Sequence, residues 1–150
     1  MKYLFFALPA LLLVAPAAAQ TCEGVHAPGT VRLSVATTNL RSARGEVAVT
    51  VYPDDRRRFL ASGGKLARVR ARAAAPVTRA CFWLKPGYYA VAIYHDENAD
   101  HDFNRTLIAP REGYGFSNDA PANFALPSFK ATRFGLGAGG GEIRVRTRYP

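Results

Sequence analysis

Leu84 to Asn118 reads LKPGYYAVAIYHDENADHDFNRTLIAPREGYGFSN: a Pro-Gly turn, an apolar run, a loop dense in oxygen-bearing side chains and a Gly-aromatic return. Tyr88 to Tyr94 (YYAVAIY) sets aromatic and β-branched residues on both alternating faces, the pattern of a central strand covered on two sides. Asp96-Glu97-Asn98-Ala99-Asp100-His101-Asp102-Phe103-Asn104 follows directly and carries carboxylates or amides at every second position. In a tight loop, alternate side chains can converge on one point. Ca²⁺ selects such hard oxygen donors.

Asp96, Asn98 and Asp100 match the first ligand positions of an EF-hand loop, but His101 stands where that loop needs glycine and Leu107 where it needs a bidentate glutamate. A helix-loop-helix calcium site is not supported. Glu112, on the return, is the carboxylate that could stand in. The candidate Ca²⁺ ligands are thus Asp96, Asn98, Asp100, Asp102 and Glu112.

Charge distribution points the same way, because the chain has 20 Lys and Arg against 11 Asp and Glu, a formal net charge of +9, yet five acidic residues crowd this one segment. Carboxylates so placed repel, and a cation relieves them. The competing reading is a plain turn, since Asp and Asn tolerate left-handed backbone and Arg105 and Arg111 neutralise part of the charge. The residues leave both readings open.

The same stretch resembles a bacterial family of secreted proteins, domain-of-unknown-function family 2141. The resemblance rests on Pro86, Gly87, Tyr89, Ala90 and Val91 in the strand, His95, Asp96, Asn98 and Asp102 in the loop, and Pro110, Glu112, Gly113, Tyr114, Gly115, Phe116, Ser117 and Asn118 on the return. Ala99-Asp100-His101 departs from it, for members usually carry a glycine there. The resemblance implies a β-sandwich of the transthyretin or carboxypeptidase-regulatory kind and supplies no activity.

At the N-terminus, Met1-Lys2, an apolar run from Tyr3 to Val14 and Ala17-Ala18-Ala19 read as a signal peptide cleaved after Ala19. The expected product is secreted or periplasmic, and Gln20 to Pro150 has the length of one domain. An oxidising destination predicts that Cys22 and Cys81, the two cysteines, are bonded.

Period-two alternation predicts strands over Val31–Val35 and Val47–Val51, read as an opening hairpin around Asn39–Gly45, and further strands over Ala67–Arg72 and Arg79–Leu84. Lys130–Leu136 and Glu142–Arg148 read as two closing strands joined by glycines. Short strands without a convincing helix predict an all-β fold, a single antiparallel β-sandwich.

Arginines at period two invite a nucleic-acid reading, which export opposes. The favoured reading is solvated charge that protects sheet edges. The alternative reading of the basic surface is weak attraction toward anionic envelope components. A hydrolase or transferase using His95, Asp96 and Ser117 is the alternative function, but nothing here resembles a nucleophile elbow, and His26, His95 and His101 lack zinc spacing. His95, Tyr114, Phe116, Ser117 and Asn118 remain weaker binding candidates, with Tyr114 and Phe116 either an exposed platform or core.

Overall fold

The computed structural model describes residues 21–107, 109–122 and 125–150, so Met1–Ala19, read above as a signal peptide, lies outside them. The described strands are β1 (Val31–Thr38), β2 (Glu46–Pro53), β3 (Ala67–Arg72), β4 (Thr78–Leu84), β5 (Gly87–Asp96), β6 (Gly113–Phe116), β7 (Phe134–Leu136) and β8 (Gly141–Arg146). They form a three-stranded sheet, β4-β1-β8, and a five-stranded sheet, β3-β2-β5-β6 with β7 also on β5. Every strand pair is antiparallel except β1 with β8. The all-β sandwich read from the sequence is the fold observed.

Alternation builds the core. Leu33 and Val35 of β1, Phe82 of β4 and Val145 of β8 face Val47, Val49 and Val51 of β2 and Val91 and Ile93 of β5, all buried between the sheets. Withdrawing each such side chain from water stabilises the fold by roughly 1.5–3 kcal/mol before chain entropy is counted. β5 is central, as its sequence implied, because the outer face of its sheet is covered as well: Ala90, Tyr94 and Asp96 point away from the core yet are buried.

Two connections differ from expectation. β1 and β2 are not a hairpin, since β1 pairs with β4 and β8 while β2 pairs with β3 and β5. The Asn39–Gly45 segment crosses between the sheets, with Leu40 sunk into the core and its N–H on the Pro76 carbonyl at 3.2 Å. Period two identifies a strand but is silent about its partner. At the other end, Phe129–Thr132 is a helical turn, and only Phe134–Leu136 of the expected Lys130–Leu136 strand pairs in a sheet. That strand joins β5 while β8 joins β1, so the two closing segments lie in different sheets.

Two glycines are required by close approach. Gly45 has φ +65° and a Cβ there would fall 1.9 Å from the Asp96 carbonyl oxygen; one at Gly113 would fall 2.3 Å from the Tyr149 ring. Both sites bring backbone against the end of β5. No helix among the described residues is long and apolar enough to cross a membrane.

Cys22 and Cys81 form a disulfide. It fastens the N-terminal segment to β4, where Glu23 adds a parallel bridge beside Phe82 and accepts the Trp83 N–H at 2.8 Å. With a sequence separation of 59 between the cysteines, a C22S/C81S variant is expected to lose about 4 kcal/mol of unfolding free energy, by the chain-entropy model. Denaturant titration measures this, and a loss below about 1 kcal/mol would show that the bridge does not constrain the unfolded chain.

Candidate functional site

Asp96 ends β5 on the outer face of its sheet, opposite Glu46 of β2, and is fully buried. The loop that follows turns back on its carboxylate: the Asp100 N–H donates to Oδ1 at 3.2 Å and the His101 N–H to Oδ2 at 2.9 Å. This wrapping needs left-handed backbone at Ala99 (φ 55°) and His101 (φ 68°). The sequence lacks glycine at just these positions. The turn is kept and the strain is carried by ordinary residues, at a cost of roughly 1–2 kcal/mol each.

Asp100, so positioned, accepts from the Asn98 and Asn104 amide groups at 2.7 and 2.9 Å and from the Asp102 N–H at 2.9 Å. Glu112 stands just before β6, buried, and accepts the Asn104 N–H at 3.0 Å. One carboxylate oxygen each from Asp96, Asp100 and Glu112 lies within 4.8 Å of the others. Strand end, loop and return are thereby drawn to one place.

Arginines from elsewhere in the fold offset part of this charge, at Asp96, Glu46 and Glu97. Arg70 of β3 reaches over the sheet, and its Nη1 lies 2.5 Å from Glu46 and 3.3 Å from Asp96, while its Nη2 donates to the Tyr94 hydroxyl at 2.7 Å and the His101 carbonyl at 2.6 Å. Glu97 turns away from the group to Arg41, with Ser42 donating to it at 2.8 Å. The Arg41 hydrogen bonds hold the Glu97 carboxyl down at about 2. Asp100 is also held below the usual range, chiefly by the Asn104 amide and then the Asp102 N–H. Glu112 is pushed up, first by burial and then by the charges of Asp96, Asp100 and Glu97, against the opposing Asn104 N–H.

The five sequence candidates therefore divide. Asp96, Asp100 and Glu112 converge; Asn98 is exposed and joins through its bond to Asp100; Asp102 is exposed and offers Asp100 its N–H. Arg105 and Arg111 are exposed and form no ion pair among the described residues. Leu107 is fully exposed, and Glu112 comes in from the return instead. Sequence reading missed Asn104, although it continues the alternation, and missed Arg70, whose place depends on β3 lying next to β2.

The weaker candidates have structural partners. His95 faces inward, fully buried, with Nδ1 2.7 Å from the Tyr149 hydroxyl and Nε2 2.8 Å from the Arg44 carbonyl. Ser117 is equally buried, accepting the Val91 N–H at 2.9 Å and donating to the Thr132 carbonyl at 2.5 Å. Base and hydroxyl are each engaged, and not with one another. Asn118, left-handed at φ 58°, ties its amide to the Ala131 and Arg133 carbonyls at 3.1 and 3.0 Å. Phe116 is buried and Tyr114 half-buried within an aromatic cluster on the outer sheet face.

Two measurements probe this loop. An Ala99→Gly variant relieves left-handed strain at an exposed position and should gain about 0.5–1 kcal/mol net of the added freedom in the unfolded chain; a loss would show that the conformation is not strained. Because the Glu97 carboxyl is lowered from 4.5 to about 2, its contribution is complete above 4.5 and lost as pH falls through 2. Acid titration of stability should accordingly slope more in the native protein than in Arg41→Gln, and equal slopes would dismiss the Arg41 bond.

The model of a bacterial family described as "uncharacterized protein conserved in bacteria" (DUF2141) matches residues 35–144. No curated protein and no solved structure matches the chain. The matched residues take in β2 to β7 and the whole acidic loop, and the chain belongs to this family.

Proposed function

We propose that the protein is an exported β-sandwich, a binding or structural module in which Ca²⁺ joins the acidic loop to the end of β5. The convergence of Asp96, Asp100 and Glu112 within 4.8 Å carries the reading. Carboxylates at that separation repel, and Glu112 is pushed up by its burial first and then by the charges of Asp96, Asp100 and Glu97. The donor set is all oxygen, which suits a hard cation and disfavours zinc or copper. Asn98 and Asn104 supply amide oxygens at the same place, if their side chains turn from Asp100 to the ion. Two acidic side chains come from opposite ends of the loop, so a bound ion staples its exit to its entry.

The signal-like start, Met1 to Ala19, and the disulfide support export, where calcium is abundant and thiols oxidise. The hydrolase or transferase alternative has no observation in its favour, because His95 and Ser117 are buried and bonded elsewhere. Solvated arginines remain the reading of the basic surface. Nucleic acid is not an expected partner.

Thermal unfolding in millimolar calcium against chelated protein tests the proposal. Saturating the folded state about a hundredfold over its dissociation constant should add about 2.7 kcal/mol and raise Tm by several degrees. Glu112→Gln and Asp100→Asn should each abolish most of the calcium-dependent rise. An unchanged Tm in calcium would overturn the metal reading.

A further inference from the structure

On the outer face of the five-stranded sheet, register places Arg68, Thr50, Ala92 and Phe116 side by side on β3, β2, β5 and β6. Thr50 and Ala92 are short, whereas the next level toward the acidic loop carries Tyr94 and Tyr114 and the level on the other side carries Tyr52. Of the two short residues set among these rings, Thr50 is buried and Ala92 is left partly exposed. Two loops return over them, one bringing Phe59 and the other Phe103.

The rings meet in sequence around this centre. Phe59 lies 5.4 Å from Tyr52 and 6.3 Å from Phe116; Tyr114 lies 6.1 Å from Phe116 and 6.2 Å from Phe103; Phe103 lies 5.4 Å from Tyr94. Arg68 closes the circuit, its guanidinium 5.9 Å from the Tyr94 ring centroid and its Nε donating to Thr50 Oγ1 at 2.7 Å. At Tyr52, burial pushes the phenol up and the adjacent Arg68 charge partly offsets it. Inside the circuit Ala92 stays partly exposed, although its outward-facing neighbours Ala48 and Ala90 are fully buried. The floor is open at one point.

Chemistry narrows the occupant. Arg68 is half-buried and, among the described residues, pairs with no carboxylate, in contrast to Arg70 one step along the strand. A guanidinium in a partly desolvated wall favours an anion and opposes a cationic ligand in the ring cluster. The Tyr94 and Tyr114 hydroxyls are spent on the His101 and Ala122 carbonyls at 3.2 and 3.1 Å, so the wall offers ring faces and edges rather than free hydroxyls to a polyol. We propose that this aromatic dish binds a small planar organic anion, an aromatic carboxylate, with its ring over Ala92 among the side-chain rings and its carboxylate on Arg68. Edge-to-face and offset contacts hold the ring, and the arginine fork holds the charge. The site is separate from the acidic group and needs no metal.

Titration of the ¹⁵N- and methyl-labelled oxidised protein with benzoate tests this, with benzyl alcohol as the uncharged counterpart. Saturable shifts are expected at Ala92, Thr50 and the Arg68 Nε–H, with benzyl alcohol binding about tenfold more weakly, the loss of one charge-assisted contact. Arg68→Gln should weaken benzoate by a similar factor. Ala92→Leu, which fills the floor and leaves Arg68 in place, should abolish binding while the spectrum stays dispersed. No saturable shift with benzoate, equal affinity for benzyl alcohol, or undiminished binding by the folded Ala92→Leu protein would each overturn the proposal.

Discussion

The burial of the Asp96 carboxylate is the constraint on which the outer half of the molecule depends. A charge without water needs partners on every side, and Asp96 obtains them from Arg70 of β3 and from the N–H groups of Asp100 and His101. Each partner fixes an element. Arg70 draws the edge strand's side chain across Ala48 to the end of β5, and the N–H donors fold the loop into one tight turn. Gly45 completes the enclosure, because only a residue without Cβ lets the β1–β2 connection lie against the Asp96 carbonyl.

This arrangement explains why β5 looks apolar on both faces. Its inward residues meet the opposite sheet, and its outward residues meet the two loops that fold over the same strand. Phe103 is the point at which acidic loop and aromatic cluster join, since it lies on the loop yet packs on Tyr94 and Tyr114. The loop is held by an apolar anchor as well as by its carboxylate bonds. A sheet covered on its outer face by loops rather than helices depends on such anchors, for an unaided loop cannot offset its own ordering entropy.

Much of this was legible in the chain, for definite reasons. The strands were marked by alternation, as at Val47, Val49 and Val51, and the site by the density of acids between Asp96 and Asp102. Glu112 was legible because it follows the loop closely. Strand pairing was not, since β1 and β2 have the pattern of a hairpin while the core-seeking Leu40 carries their connection from one sheet to the other. Nor was Arg70 distinguishable, because Arg68, Arg70 and Arg72 alternate identically and only the neighbouring strands tell them apart. Positive φ at Ala99 was hidden by a residue type that seldom adopts it.

Those three arginines show how one repeated residue becomes three different interactions. Period two sends all of them to the outer face of β3, opposite Thr50, Ala48 and Glu46 in turn. Arg72 stays exposed. Arg68 donates to the Thr50 hydroxyl beside it and lies 5.9 Å from the Tyr94 ring centroid, short of any carboxylate among the described residues. Arg70 finds only the methyl group of Ala48, so its full length is free to cross to Tyr94 and Asp96. There it serves two carboxylates, a phenol and a carbonyl at once. A lysine, with three donors on a single point charge, could not reach acceptors spread so widely. Alanine at position 48 is therefore as much a part of the acidic site as the arginine that passes over it.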